Sequence, residues 1–292
     1  MANAVIIGGG PAGISAAVYI ARAGIEATLL YRDGGALLKA HDIRNYYGFP
    51  DGVSGEQLHE LGLRQARALG VNVIKDEVQS IDFEDTLVVK SSSGTFPADA
   101  VVLATGAVRK APSLPGVREL EGRGVSYCAV CDGAFFRGKR VAVLGSGDFA
   151  LHEAKELLPL ASKVTLLTSG LPAPENLPGG IAADTRKVER IEGEESVAGV
   201  RFVDGERLEL EAVFIAQGVA GAADFARRTG ILMDGAGIAT DRDMATNVPG
   251  LFAAGDCAGA PYQVAKAVEE GRRAGTAAVA YIRANTAQKT EA

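Results

Sequence analysis

The chain has 292 residues, 47% of them hydrophobic, a size that fits one large or two ordinary domains. Its formal net charge of -6 argues against nucleic acid or an anionic membrane as the partner. The N-terminus lacks the basic start of a signal peptide, and no segment reaches the length of a membrane span. We therefore expect a cytoplasmic protein.

The first 33 residues have the pattern of a dinucleotide-binding unit. A strand at 4–7, a helix up to about Ala23 and a strand at 26–31 surround a Gly-x-Gly-x-x-Gly turn formed by Gly8, Gly10 and Gly13. In this setting the first glycine allows a tight turn, the second lets the backbone approach a pyrophosphate, and the third lets the helix pack on the strand. Asp33 lies 20 residues after Gly13, where an acid that binds a ribose belongs.

Short runs rich in strand-forming residues follow at 71–74, 86–90 and 100–107. We expect a small antiparallel layer and then a return to the main sheet. The last run ends in Thr105 and Gly106, and a glycine there lets backbone approach a ligand. An ordinary turn at a strand end is the alternative.

Residues 139–170 repeat the strand, glycine turn, helix and strand, with Gly145 and Gly147 in the turn. A strand at 211–218 completes this second unit, and a strand ending at Gly255 and Asp256 leads into a long helix over 261–282, followed by a frayed tail. The sequence thus predicts an α/β protein with two Rossmann-like domains, the first of them split. The predicted boundaries are 1–112 and 243–292 for the split domain, with 113–242 inserted.

Two of the three cysteines, Cys128 and Cys131, form a Cys-x-x-Cys pair directly before Asp132. A reducing compartment disfavours a structural disulfide, and three cysteines cannot supply a four-cysteine zinc site. The three histidines lie far from the pair in sequence, so we expect no metal. Redox chemistry is the leading interpretation. The pair is predicted to lie on the first turn of a helix, whose dipole would favour a thiolate.

Five motifs together resemble those of the low-molecular-weight thioredoxin reductase family. In chain order they are GGGPAG (8–13), NYYGFP (45–50), ATGA (104–107), CAVCDG (128–133) and GLFAAGD (250–256). The resemblance covers nearly the whole chain, and it implies an FAD domain in two pieces, an inserted NADPH-domain-like unit that carries the cysteines, and a homodimer. The residues expected to bind FAD are Gly8, Gly10, Pro11, Ala12, Gly13, Asp33, Gly35, Asn45, Thr105, Gly106, Gly255, Asp256, Gln263, Val264 and Ala265.

The resemblance also implies roles for the cysteine region. Cys131 would exchange electrons with the flavin, and Cys128 would attack the disulfide of a thioredoxin-like protein. Asp132 would move the proton at the leaving thiolate; a charge that favours the helix N-terminus is the alternative. Cys257 is expected to be a packing residue. The amides of residues 263–265, at a helix start, would face the flavin ring.

The second unit departs from the family at its nucleotide site. NADPH-dependent members carry basic residues after the second strand of this unit, but 166–184 contains no Lys, Arg or His. Its prolines predict that the helix usual at this place is short or absent. We expect a ferredoxin-type donor, with Arg109, Lys110 and the basic residues of 137–140 as candidates for docking. The open alternatives are an NADPH-dependent thioredoxin reductase, a flavin dithiol oxidase that uses oxygen, and a non-catalytic FAD redox sensor.

Overall fold

The computed structural model describes residues 2–83, 86–106, 113–217, 222–235 and 237–291. The chain divides into two compact units, Met1–Val108 with Gly221–Ala292, and Arg109–Ala220. Each unit contains a five-stranded parallel sheet with helices, and the cysteine pair lies in the inserted unit. The predicted fold class of two Rossmann-like domains, the first split in sequence, is confirmed.

The described strands and helices are named here in chain order. The strands are β1 (Asn3–Ile7), β2 (Glu26–Tyr31), β3 (Asn72–Lys75), β4 (Val78–Phe83), β5 (Leu87–Ser91), β6 (Thr95–Ala98), β7 (Ala100–Leu103), β8 (Val125–Ser126), β9 (Arg140–Leu144), β10 (Lys163–Leu167), β11 (Ile181–Asp184), β12 (Val188–Gly193), β13 (Val197–Phe202), β14 (Arg207–Glu209), β15 (Ala212–Ile215), β16 (Met233–Asp234), β17 (Gly237–Ile238) and β18 (Leu251–Ala253). The helices are α1 (Pro11–Arg22), α2 (Gly55–Ala68), α3 (Ala129–Asp132), α4 (Asp148–Leu157), α5 (Ala222–Thr229) and α6 (Val264–Glu291).

The sheet of the first unit has the order β18-β7-β1-β2-β3. Because all its pairs are parallel, the carboxyl ends of β1, β7 and β18 meet at one edge, with the change in strand order between β1 and β7. Such a switch point is where ligands bind in open α/β sheets. One expectation was wrong: β3, from the run 71–74, is the edge strand of this sheet, because α2 carries the chain back to pair it in parallel with β2. The antiparallel layer is β4-β5-β6.

Helices α1 and α6 pack against each other through small residues, which fixes the start of α1. An added Cβ at Gly271 would lie 2.1 Å from the carbonyl oxygen of Ala12, and one at Gly275 would lie 2.7 Å from that of Ala16. Any side chain at these two positions would push the helices apart. The helix α6 continues to Glu291, so the prediction of a frayed tail was wrong over the described residues.

The sheet of the inserted unit has the order β11-β10-β9-β15-β8. The repeated strand–helix–strand pattern is confirmed as β9, α4 and β10. The predicted loss of the next helix is also confirmed, since residues 168–180 connect β10 to β11 without one. The short strand β8 lies at the sheet edge beside β15 and leads directly to Cys128.

Residues 222–238 pack with the first unit rather than with the insertion. The helix α5 contacts β4 and β17, and β17 contacts the turn at 255–258. We therefore propose that the second piece of the split domain begins near 221 instead of 243. Within the described ranges, no helix has the length and apolar character needed to cross a membrane.

Candidate active site

The glycine turn after β1 combines two glycines required by packing with one that faces open space. An added Cβ at Gly8 (φ 117°) would lie 2.2 Å from the oxygen of Ala104, and one at Gly13 would lie 1.9 Å from the oxygen of Gly8. A Cβ at Gly10 would meet no atom within 4 Å. Gly10 caps α1 without a side-chain hydrogen bond, and Pro11 begins the helix. The space over Gly10 at this helix start is therefore open, as a bound phosphate requires.

The turn at Gly255 and Asp256 lies beside this helix start. An added Cβ at Gly255 would lie 2.8 Å from the Cβ of Ala12. The Gly255 amide donates to Oε2 of Glu270 at 2.9 Å, and Lys266 Nζ lies 3.0 Å from the same carboxylate. Burial raises the pKa of Asp256; Lys266 opposes this rise, and Glu270 adds to it. The turn is thus held by α6, with a half-buried carboxyl group at its tip.

The other predicted FAD residues lie around the same edge of the sheet. The Asn45 side-chain amide donates to Oε1 of Gln263 at 2.9 Å, which ties the 45 loop to the start of α6 at Val264 and Ala265. Asp33 accepts hydrogen bonds from the amide of Gly35 and from Arg32, both at 2.8 Å. Burial would raise the pKa of Asp33, but these hydrogen bonds outweigh it and lower the pKa. Its carboxylate already has two donors, a detail that the spacing of the motif does not reveal.

Thr105 and Cys257 lie side by side behind this edge. Thr105 Oγ1 is buried without a hydrogen-bond partner. Cys257 is fully buried, its thiol donates to the carbonyls of Leu103 and Ala254 at 3.3 and 3.2 Å, and burial raises its pKa to about 11. A thiol held protonated in this way is a packing group, in agreement with the expectation for Cys257.

In the inserted unit, Cys128 and Cys131 are joined by a disulfide, with their Cα atoms 5.3 Å apart. Cys128 is the N-cap of α3, and its Sγ accepts the amide hydrogen of Cys131 at 3.2 Å. Cys131 is exposed, whereas Cys128 is buried at 1% exposure. A reagent can therefore approach Cys131 directly, whereas Cys128 is covered in this structure.

Ser126 ties the two ends of the redox motif together. The Ser126 hydroxyl donates to Oδ2 of Asp132 at 2.6 Å, and Oγ of Ser126 accepts the amide hydrogen of Cys128 at 3.1 Å. The Asp132 carboxylate is therefore held in place beside the pair. Ser126 was not among the residues predicted from the sequence, because a lone serine two positions before the first cysteine gives no signal for this role.

Glu153 is a second residue of this site that was not predicted from the sequence. It is 1% exposed, and its Oε2 accepts the amide hydrogen of Ala129, between the two cysteines, at 2.7 Å. A signal was present, because Glu153 lies on the buried face of α4 with Phe149, Ala150, Ala154 and Leu157. An acidic residue on the apolar face of a helix indicates a specific partner.

The second glycine turn and the end of β10 form the region where a nicotinamide nucleotide would bind in a Rossmann-like unit. An added Cβ at Gly145 would lie 2.2 Å from the oxygen of Ala216, so this glycine is required by packing. Arg186, which follows β11, makes a bidentate ion pair with Asp184 and lies 3.9 Å over the Phe202 ring. Only the tertiary structure reveals that Lys187 comes near this region, with its Cβ 4.0 Å from an added Cβ at Gly170.

Of the basic residues predicted to dock a ferredoxin-type donor, only those of 137–140 lie among the described residues. Arg109 and Lys110 lie outside the described residues. Arg140 is paired with Glu209 and Glu211. The part of the chain that is described contains no cluster of three or more His, Cys, Asp or Glu that could hold a metal ion.

Comparison with known proteins identifies the family. The model of the pyridine nucleotide-disulphide oxidoreductase family matches residues 2–171 and 179–271. The thioredoxin reductase of Listeria monocytogenes is 35% identical, over 96% of this chain and 93% of its own. This chain belongs to the low-molecular-weight thioredoxin reductase family.

Two solved reductases are similar in structure as well. The atypical thioredoxin reductase TRi from Desulfovibrio vulgaris Hildenborough has a TM-score of 0.91 and 40% identity, with 97% of this chain and 98% of that chain covered. A ferredoxin-flavin thioredoxin reductase from Clostridium acetobutylicum has a TM-score of 0.74 and 30% identity at the same coverage.

This reductase is a flavin-dependent oxidoreductase, and its cofactor is FAD. The structure of the first unit fits that cofactor: the start of α1 is uncapped, and open space lies over Gly10. A phosphate group at this place would accept hydrogen bonds from the helix amides and interact favourably with the helix dipole. Gly106 (φ 79°) likewise has no atom within 4 Å of an added Cβ.

Proposed function

We propose that this reductase transfers electrons from a ferredoxin-type donor, rather than from NADPH, to the disulfide of a thioredoxin through Cys128 and Cys131. The observation that carries the choice of donor is the end of β10. The loop 168–180 has Glu175 as its one ionisable residue, and the nearby Arg186 is bound to Asp184. A 2′-phosphate there would lack the charge-assisted, bidentate arginine contacts on which its recognition depends.

Two features of the comparisons favour this choice, while other similar solved structures are described simply as thioredoxin reductases. The family match is interrupted at 172–178, inside the same loop. Of the similar solved structures, one is described as an atypical thioredoxin reductase and another as a ferredoxin-flavin thioredoxin reductase. Lys187 favours the NADPH alternative, but a single lysine offers a point charge without the fork of an arginine.

The proposed chemistry is a thiol–disulfide relay in which the residues of this chain handle sulfur and protons. When bound and reduced by two electrons from the donor, FAD would supply the electrons that break the Cys128–Cys131 bond. Asp132, held by Ser126, donates a proton to the thiolate released at Cys131. Cys128 then bonds to one sulfur of the thioredoxin disulfide and releases the other as a thiolate. Cys131 returns its proton to Asp132 and attacks the mixed disulfide, which restores the Cys128–Cys131 bond and releases the second sulfur of the partner as a thiolate. Protons from Asp132 and from water then complete the partner's dithiol.

A protein partner is supported by the surface around the pair. Val130 and Phe135, on either side of Cys131 in sequence, are 56% and 76% exposed. Exposed apolar side chains beside a reactive sulfur suit an interface with another protein. Arg137 and Lys139 follow on the exposed side, and Lys139 lies 5.6 Å over the Phe136 ring.

Anaerobic mixing followed by flavin absorbance tests the donor. We expect NADPH to leave the oxidised flavin spectrum unchanged, reduced ferredoxin to bleach it, and oxidised thioredoxin to restore it. Fast bleaching by micromolar NADPH would refute the proposed donor. Oxygen uptake driven by a small dithiol would favour the oxidase, and a lack of turnover with every donor would favour the sensor.

Single-cysteine variants test the order of the two sulfurs. With a thioredoxin whose single nucleophilic cysteine is activated as a mixed disulfide with thionitrobenzoate, we expect Cys128 of the Cys131→Ser variant to displace thionitrobenzoate and form a stable disulfide with the thioredoxin. The matched variant Cys128→Ser should form much less of it. The opposite result would assign the attack to Cys131, the sulfur that is exposed in this structure. Both variants should retain FAD. The homodimer and the cytoplasmic location stay predictions.

A further inference from the structure

We propose that Glu153 is a positioning residue that occupies one amide donor of the redox helix and holds the Cys128–Cys131 pair at a more reducing potential. The inference rests on the proposed redox role of the pair. It starts from the buried carboxylate of Glu153, which accepts the amide hydrogen of Ala129 at 2.7 Å.

The start of α3 has few amide hydrogens to share. The amide of Cys131 points to Sγ of Cys128 at 3.2 Å, and the amide of Ala129 is taken by Glu153. In redox motifs of this kind, free amides at the helix start stabilise the thiolate and make the pair easier to reduce. Here the carboxyl group of Glu153 takes one of these donors, and in its ionised form it places a negative charge one residue from Cys128. It therefore disfavours a thiolate at Cys128, and with it the reduced state.

The described helices on either side of this contact carry ionisable groups of both signs. Helix α3 packs against α4 and is followed by the turn Gly133–Phe136, which contains no ionisable residue. The ionisable residues of α3 and α4 besides Glu153 are Asp132, Asp148, His152, Lys155 and Glu156. Of these, Asp132 is tied to Ser126, and His152 lies 3.9 Å from Glu156 on the same helix.

The variant Glu153→Gln separates charge from anchoring. The glutamine carbonyl can still accept the Ala129 amide hydrogen, so the position of α3 is kept while the charge is removed. The control is Glu156→Gln, a change of the same kind one turn along α4 at a side chain that is 41% exposed. Both are compared in the FAD-loaded protein by equilibration with oxidised and reduced dithiothreitol. In that exchange, two reagent thiols become a disulfide while Cys128–Cys131 becomes a dithiol.

At pH 8.5 we expect Glu153→Gln to favour the reduced pair by up to about tenfold, equivalent to about 30 mV for this two-electron couple. Glu156→Gln should match the parent protein. An unchanged exchange constant in Glu153→Gln, or an equal change in the control, would overturn the inference. Failure of the parent pair to exchange at all would instead refute the proposed function.

A measurement on the parent protein covers the case in which Glu153→Gln does not fold. The slope of the reduction potential against pH halves where the first thiol of the pair ionises. We expect this change of slope at a pH equal to or above the ordinary thiol pKa of about 8.5. A break below about 7.5, in the range usual for activated Cys-x-x-Cys pairs, would contradict the role of Glu153.

Discussion

Replacing Gly10 by alanine is expected to weaken FAD binding while leaving the fold intact. Gly10 has φ -77° and ψ -178°, which alanine adopts without strain, and an added Cβ would touch no atom within 4 Å. Alanine is a poorer helix N-cap than glycine, but it also lowers the entropy of the unfolded chain. The two effects oppose each other, so we expect the free energy of unfolding of the apoprotein to change by about 0.5 kcal/mol or less.

The cofactor should respond differently, because the new methyl group enters the space over the helix start. Crowding one methyl group into a filled site costs about 1–3 kcal/mol, which raises the Kd for FAD about 5- to 150-fold. Flavin fluorescence titration of the apoprotein measures the Kd, and denaturant unfolding of the same apoprotein measures the stability.

Gly8→Ala is the matched comparison in the same turn. Its Cβ would lie 2.2 Å from the Ala104 oxygen, and its φ of 117° is rarely adopted by alanine. We expect a loss of about 3 kcal/mol or more in the free energy of unfolding, even without FAD. Wild-type FAD affinity in Gly10→Ala would refute the placement of the pyrophosphate over this turn. Equal stability losses in both variants would refute the division of roles between the two glycines.

Three further outcomes follow from the site. Ser126→Ala removes the 2.6 Å hydrogen bond to Asp132, so turnover with thioredoxin should fall about tenfold while FAD binding is unchanged. Full turnover in this variant would exclude a proton role for Asp132 that depends on this hydrogen bond. Phe135→Ala should raise the KM for thioredoxin about tenfold. The control is Phe83→Ala, which changes a similarly exposed phenylalanine of the other unit and should leave the KM unchanged. Equal effects of the two variants would argue against docking at Phe135. Burial raises the pKa of Cys257 to about 11, so only about one thiol in a thousand is ionised at pH 8. Mass spectrometry should therefore find Cys257 unalkylated by iodoacetamide until the protein unfolds. Rapid labelling of Cys257 in the native protein would contradict its burial.

The local parts of the fold could be predicted from the sequence because their causes are local. The strand–glycine–helix patterns at 4–31 and 139–170 follow from hydrophobic periodicity and from glycine sterics, and both units form as expected. The proline-rich loop after β10 excludes a helix by its own composition.

The tertiary structure decided which distant groups meet. Glu153 is recognisable in the sequence as an acidic residue on an apolar helix face, but its partner, Ala129, lies 24 residues away and is chosen by the packing of α3 on α4. Lys187 approaches Gly170 because β11 pairs in parallel with β10, and β3 joins the main sheet because α2 returns the chain to that edge. Periodicity determines which face of an element is buried, whereas contacts between elements depend on how the elements pack, which no local pattern contains.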